Sequence, residues 1–321
     1  MDAKGVCDSS ALSARVSDSL HAVPRPLPKV IRANVLGYCM GVRRAVKLAY
    51  TEAEGCEKQV RTFGSLIHNP QVLRELEARG VRTLDESSLP NDLDGVSVVI
   101  RAHGISPQVE EKLRERKAVL VDATCPIVKA SQLKARALAK AGYLLFLAGD
   151  KSHAELAGIV GYSQTMGALP CVVVGDANEA GTLAKTLAEK YRSETPKTAL
   201  LAQTTISEGE YKAIEDAIVR FFPNLEVART ICAATKERQE SLRKLLDRVD
   251  ALVIVGGRES ANTRRLYAIA EAVGKPCVLA EDANDIPVEF LDFGTIGITA
   301  GASTPDNVIG AIERVFQGGV S

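Results

Sequence analysis

The chain has 321 residues, 46 % apolar and 25 % charged, the composition of a soluble globular protein with room for two or three domains. Forty Lys+Arg balance forty Asp+Glu, so there is no basic surplus for a nucleic-acid backbone or an anionic membrane surface, and no apolar run approaches the roughly 20 residues that span a bilayer. Trp is absent and aromatics are 4 %, which argues against stacking platforms for single-stranded nucleic acid.

Residues 1–29 are rich in Ser and Ala, carry Pro24, Pro26 and Pro28, and lack the roughly 7–15-residue apolar core of a secretory signal. They read as a flexible extension. Without an export signal, the seven cysteines are expected in a reducing cytoplasm, as thiols, metal ligands or nucleophiles rather than disulfides. From Ile31 to Phe316, apolar runs alternate with amphipathic stretches. Val96–Ile100, Leu144–Ala148, Ala199–Ala202, Ala251–Val255 and Thr295–Thr299 predict strands; Gln108–Lys117 and Arg264–Ala272 predict helices. Strands alternating with helices imply α/β units and mostly parallel sheet.

One order occurs three times. Cys39, Cys125 and Cys232 each precede a helical stretch, and each is followed by two strand–loop–helix units with polar loops. The first loops hold His68-Asn69-Pro70, His153-Ala154-Glu155 and Ser260-Ala261-Asn262; His68, His153 and Asn262 follow their cysteines by 29, 28 and 30 residues. The second loops hold His103-Gly104, Thr204-Thr205 and Ser303-Thr304. The expected architecture is a trefoil of three similar α/β modules around a pseudo-threefold axis. The modules are 40–123, 124–228 and 229–314, the third completed by 30–39.

In a trefoil, equivalent positions lie equally far from the axis, so three equivalent cysteines can meet there. Three converging thiolates suit a metal site with an open position: an iron–sulfur cluster or a zinc ion. The bland alternative is three buried thiols. Cys7, Cys56, Cys171 and Cys277 have no repeat partner, and Cys171 and Cys277 head apolar runs that read as core. There is no CxxC. Three of the four histidines, His68, His103 and His153, fall in the repeat loops, with Thr204, Ser260, Asn262 and Ser303. Such loops aim helix N-termini and neutral donors at one place, which makes an anion site; no P-loop and no dinucleotide fingerprint is present. No Lys or Arg belongs to this set. A bound diphosphate is therefore expected to draw on helix N-termini and on imidazolium forms of His68 and His103, with affinity falling as pH rises. Glu155 is the carboxyl group among the loops, either a favourable helix N-terminal glutamate or a proton donor.

At these residues the chain resembles the 4-hydroxy-3-methylbut-2-enyl diphosphate reductases, the LytB/IspH family of the non-mevalonate isoprenoid pathway. The likeness runs from about Ile31 to about Ile312. It rests on Gly37-Tyr38-Cys39-Met40-Gly41-Val42, Ile67-His68-Asn69-Pro70-Gln71-Val72, Arg101-Ala102-His103-Gly104-Ile105-Ser106-Pro107, Asp122-Ala123-Thr124-Cys125-Pro126, Ala202-Gln203-Thr204-Thr205, Thr230-Ile231-Cys232, Ser260-Ala261-Asn262-Thr263 and Thr299-Ala300-Gly301-Ala302-Ser303-Thr304-Pro305, in that order. The resemblance implies a [4Fe–4S] cluster on Cys39, Cys125 and Cys232 with one open iron, which takes the substrate hydroxyl. It implies reductive dehydration to isopentenyl and dimethylallyl diphosphates, with electrons from an external flavodoxin- or ferredoxin-like donor. By position, His68, His103, Ser260, Asn262 and Ser303 match the diphosphate set and Glu155 the proton-relay glutamate, assisted by Thr204 and His153, which also contact substrate.

The chain departs from the family pattern at Ala154, where proline is common, at Ala157, where a second acid is common, and at Ala261, where a serine would add a hydroxyl donor. Three other readings compete with the reductase: a paralogue reducing another phosphorylated alcohol, an iron–sulfur redox or iron sensor, and a zinc hydrolase. A sensor has no use for Glu155, Thr204 and a full anion site.

Overall fold

The computed structural model describes residues 26–55, 59–165 and 169–318. Most of the N-terminal extension (residues 1–25), Cys7 and Cys56 lie outside the described residues. Lys29, grouped with the extension on sequence grounds, instead opens the first strand.

The described residues form three four-stranded, wholly parallel sheets. The first contains β2 (Gln59–Phe63), β3 (Arg82–Leu84), β4 (Val96–Ile100) and β5 (Val119–Asp122), in the order β3-β2-β4-β5. The second contains β6 (Leu144–Ala148), β7 (Cys171–Val174), β8 (Thr198–Ala202) and β9 (Glu226–Val227), in the order β7-β6-β8-β9. The third contains β10 (Ala251–Val255), β11 (Cys277–Ala280), β12 (Thr295–Ala300) and β1 (Lys29–Arg32), in the order β11-β10-β12-β1. The order is the same each time, with β1 in the place of β5 and β9. Each of those three edge strands leads into the segment that carries the next module's cysteine.

Strand content follows from burial. β6, β8 and β10 are buried along their whole length, and their near-continuous apolar sequences are what a parallel sheet covered on both faces requires. Helices pack on the two faces of each sheet and divide each module's apolar core in two, as in the second module, where Phe146 and Tyr211 lie on one side and Leu145 and Ile159 on the other. Cys171 and Cys277 begin the edge strands β7 and β11; both are only half-buried and pack against these cores.

Two helix boundaries differ from expectation for local reasons. α3 (Pro107–Glu115) starts on the Ser106 N-cap, whose side chain accepts from the Val109 N–H, and stops before Lys117, a left-handed residue at φ 65°. α9 (Ala261–Ala272) starts three residues before the expected Arg264, because Ser260 is its N-cap and accepts from the Thr263 N–H. Asn262 therefore lies in the first turn of a helix and not in a loop.

In each sheet the two central strands send their crossovers to opposite sides, so a crevice opens beyond their carboxyl ends. Gly149 and Gly256 follow the central strands β6 and β10 at φ 153° and 147°. Side chains there would overlap Gln203 and Thr263 respectively, so glycine is what lets the chain turn tightly into the crevice.

Candidate functional site at the threefold junction

The three crevices meet in one cavity of about 90 Å3. All eleven residues singled out from the sequence lie on its wall: Cys39, Cys125, Cys232, His68, His103, His153, Glu155, Thr204, Ser260, Asn262 and Ser303.

The cysteines repeat one geometry. Cys39 directly precedes α1 (Met40–Gly55), and Cys125 and Cys232 are the N-caps of α4 (Pro126–Lys140) and α8 (Ala233–Leu246). The backbone N–H of Cys125 donates to the Ala102 carbonyl (2.9 Å), that of Cys232 to Thr204 (3.0 Å) and that of Cys39 to Ala302 (3.1 Å). Each cysteine is thus tied to the second polar loop of the preceding module, and the ring closes on itself. All three are free thiols. Burial raises the Cys125 pKa, and the charges of Cys39 and Cys232 raise it further, while N–H groups of the α4 first turn oppose this.

Other features fit a group held by three thiolates here, with a buried cation to balance their charge. Gly41 has no side chain because a Cβ would overlap the Cys125 sulfur. The Arg238 guanidinium, on α8, is buried beside Cys39 and Cys232, and its Nε has no protein partner. Its Nη2 donates to the Gly37 carbonyl (2.6 Å) and its Nη1 to Ala234 (2.8 Å). Soft sulfur donors at three helix N-termini, crowded enough to repel one another, suit an iron–sulfur group with three protein ligands.

The carboxyl lies on the same wall. Glu155, in the first turn of α5 (Ala154–Gln164), is 1 % exposed. Its Oε1 accepts from the Thr204 N–H (2.7 Å) and its Oε2 from the Thr204 hydroxyl (2.8 Å). Burial pushes its pKa up to about 7, outweighing both bonds, which stabilise the anion. A carboxyl with that pKa is divided between its two forms near neutrality, as a proton donor must be.

The three imidazoles cluster, with ring centres 4.9, 4.9 and 5.9 Å apart. Burial, joined by the positive charge of Arg101, holds all three pKa values down, and neighbouring imidazoles add to this at His103 and His153: His153 to about 4, His68 below its usual range and His103 well below it. In the free protein these shifts favour the neutral rings; the imidazolium forms expected of His68 and His103 belong to the diphosphate-bound state. His153 Nδ1 accepts from the Glu155 N–H (3.2 Å), so its ring proton sits on Nε2. Metal-bound histidines use the opposite arrangement, donating from the second nitrogen. Although the ligand atoms of the trio lie within 4.8 Å of one another, this tautomer makes His153 a donor suited to an anion. On the third module, the Ser260 side chain caps α9, and the Ser303 hydroxyl donates to the His68 carbonyl (3.1 Å). Asn262 is buried, with its Nδ2 lacking a protein acceptor.

Sequence reasoning missed the cations. Arg101 and Arg264 impose positive charge on His68 and His153, and Arg238 backs the cysteines. Arg101 directly follows β4, and Arg264 is two residues after Asn262; both were legible as residues but not as charges acting on the histidines. Of the departures, Ala157 faces solvent on α5, so the missing acid does not change the wall, whereas Ala261 lines the cavity.

Fold and site together define an α/β trefoil whose axis carries three thiols, a buried carboxyl and a set of neutral donors. The sequence profile of the family described as LytB protein matches residues 30–317, and the chain belongs to that family. A 4-hydroxy-3-methylbut-2-enyl diphosphate reductase of Treponema denticola is 44 % identical over 291 residues, covering 89 % of this chain and 98 % of the relative. One of Aquifex aeolicus, of the same description, is 37 % identical, covering 90 % and 96 %. The solved E-1-hydroxy-2-methyl-but-2-enyl-4-diphosphate reductase of Plasmodium falciparum superposes with a TM-score of 0.80 at 26 % identity, covering 90 % of this chain and 88 % of that one.

Proposed function

We propose that the protein reduces (E)-4-hydroxy-3-methylbut-2-enyl diphosphate to isopentenyl and dimethylallyl diphosphates. Family membership supports the reaction class. The observation that carries the site assignment is the placement of Glu155, bonded to Thr204, on the same wall as three free thiols and the His, Ser and Asn donors. The modules are taken as 40–123, 124–228 and 229–314 with 30–39.

Cys39, Cys125 and Cys232 would hold a [4Fe–4S] cluster, which when bound supplies electrons singly and an open iron as Lewis acid. Removal of an allylic hydroxyl with two electrons and two protons gives one water and a new C–H bond. Glu155 in its acid form holds a proton at the reacting end, and Thr204 fixes the carboxyl through its backbone N–H and hydroxyl. His68, His103, His153, Ser260, Asn262 and Ser303 bind the diphosphate as hydrogen-bond donors. The positive charge of Arg101 and Arg264 offsets part of the anion's charge. The buried carboxyl and hydroxyl on the cavity wall limit the water beside the reacting carbon.

The test is anaerobic reconstitution with iron and sulfide, followed by turnover of the hydroxymethylbutenyl diphosphate with a chemical reductant. Consumption of substrate with appearance of both isomeric diphosphates is expected, and iron content is expected to fall when any of the three cysteines is replaced by serine. A reconstituted, coloured protein that leaves the substrate intact would overturn the assignment.

A further inference from the structure

The three helices that begin at the cysteines each bury the residue six places after the cysteine: Ala45 on α1, Ser131 on α4 and Arg238 on α8. The repeat is symmetric in position and asymmetric in charge. Ala45 is apolar, and the Ser131 hydroxyl donates to the Ile127 carbonyl of its own helix (3.2 Å). Arg238 puts a guanidinium at the same place, 3 % exposed and on the cavity wall.

A buried cation is costly unless an anion meets it. Among the described residues Arg238 has no carboxylate partner: its Nη2 and Nη1 donate to the neutral Gly37 and Ala234 carbonyls (2.6 and 2.8 Å), and its Nε–H has no acceptor. Burial lowers its pKa, and of the charges that oppose this, those of Cys39 and Cys232 come before that of the adjacent Glu237. Glu237 itself faces solvent. The sulfurs are thus the anions this guanidinium is buried against. The bond to Gly37 adds a second link. Gly37 lies two residues before Cys39, in the left-handed conformation at φ 75°, so one guanidinium joins the Cys232 helix to the Cys39 turn.

We infer that Arg238 raises the reduction potential of the iron–sulfur group held by Cys39, Cys125 and Cys232. The inference rests on the reading of those cysteines as cluster ligands. A doubly positive oxidised core on three thiolates is one charge negative, and uptake of one electron doubles that charge. A fixed cation nearby favours the doubled charge over the single one, and exclusion of water strengthens the effect. The Nε–H is available to a sulfur of the bound group, and hydrogen bonds to cluster sulfurs act in the same direction. Neither Ala45 nor Ser131 can do this at the other two places, so the tuning falls to one module of the three.

The test uses the cluster-loaded full chain, anaerobic and without substrate. It is titrated with a europium(II) chelate in the presence of viologen mediators, so that each cluster takes one electron from the reductant. Reduced cluster is read by electron paramagnetic resonance, and iron per chain is counted in parallel. Arg238→Gln keeps an amide donor without the charge, Arg238→Lys keeps the charge without the planar fork, and Ser131→Ala is the control at an equivalent place. In Arg238→Gln the ratio of reduced to oxidised cluster at a given potential is expected to fall about tenfold or more, a midpoint about 59 mV more negative for a one-electron couple. Arg238→Lys is expected to stay closer to the parent than to the Gln variant, and Ser131→Ala to match the parent. A purely structural clamp would not move the potential of a cluster that stays bound. An unchanged midpoint in Arg238→Gln would overturn the inference, and so would a fall in Arg238→Lys as large as in Arg238→Gln. If Arg238→Gln holds no iron, Arg238→Lys decides: iron and a midpoint near the parent's support the role of the charge, and loss of iron or a midpoint tenfold displaced overturns it. Failure of the parent to take up iron would instead overturn the cluster reading itself, whereas a potential read without substrate does not depend on which molecule the enzyme reduces.

Discussion

Glu155 and Asn262 occupy the same place in two modules and have opposite chemistry. Each is the second residue of a helix that follows a central strand, a positive-φ glycine and a polar loop, with His153 as N-cap in one case and Ser260 in the other. Both are buried. Glu155 is satisfied by Thr204 of its own module and holds a proton up to about pH 7 because burial disfavours the anion. Asn262 has its amide nitrogen free of protein acceptors. The fold gives both residues the same approach to the cavity. The side chain then decides whether that place offers a proton or a hydrogen bond to a bound anion. In the first module the N-cap is Asn69, and His68 stands one residue before it, three residues earlier than the place of Glu155 and Asn262.

The comparison is broken most severely at Glu155. Glu155→Gln keeps size and the Thr204 contact but carries no acidic proton, and turnover is expected to fall by about 10²-fold or more with substrate affinity retained. Near-normal turnover would move the proton source elsewhere. In the parent, turnover is expected to fall above about pH 7, as Glu155 loses its proton. A steady-state pH profile checks this, since that limb disappears in the Gln variant if Glu155 is its origin.

At the equivalent position, Asn262→Ala removes a hydrogen bond to a charged ligand, worth about 1.5–3 kcal/mol. KM for the diphosphate is expected to rise about tenfold to a hundredfold with kcat less affected, the signature of lost uniform binding. A fall confined to kcat would place Asn262 at the chemistry instead.

A third effect is on stability. His153 has its folded pKa lowered from 6.5 to about 4, so the unfolded chain binds the extra proton. Its contribution is complete above pH 6.5 and is lost as pH falls toward 4. Glu155 runs the other way: its folded pKa is raised from 4.5 to about 7, so its contribution is present below 4.5 and lost as pH rises through 7. Thermal melts of the cluster-free protein are expected to show a shallower acid limb in His153→Asn and a flatter neutral limb in Glu155→Gln. Parallel curves for all three proteins would contradict both burial arguments.

The smallest expected change is a gain. Ala261, beside Asn262 on the cavity wall, offers no hydroxyl. Ala261→Ser is expected to lower KM by a few-fold, the scale of one added hydrogen bond of about 1 kcal/mol. An unchanged KM would mean that the anion does not reach this turn.

The sequence by itself determined the repeated order of cysteine and two polar loops, the parallel α/β class and the set of cavity residues, because these depend on local periodicity and on residue types that chemistry makes rare. Strand runs such as Leu144–Ala148 were legible since burial on both faces demands unbroken apolar sequence. The start of α9 was not, because Ser260 and Asn262 look alike as loop residues until one of them caps the helix. Only the tertiary structure decided the charge state of the site. In the free protein the histidines are neutral and Glu155 is partly protonated near pH 7 because segments far apart in the chain exclude water from them together. Arg238 lines the cavity, and Arg101 and Arg264 impose their charge on its histidines, only because β4, α8 and α9 end or begin at the shared axis. Desolvation and charge proximity are properties of the assembled threefold junction, and no single segment contains them.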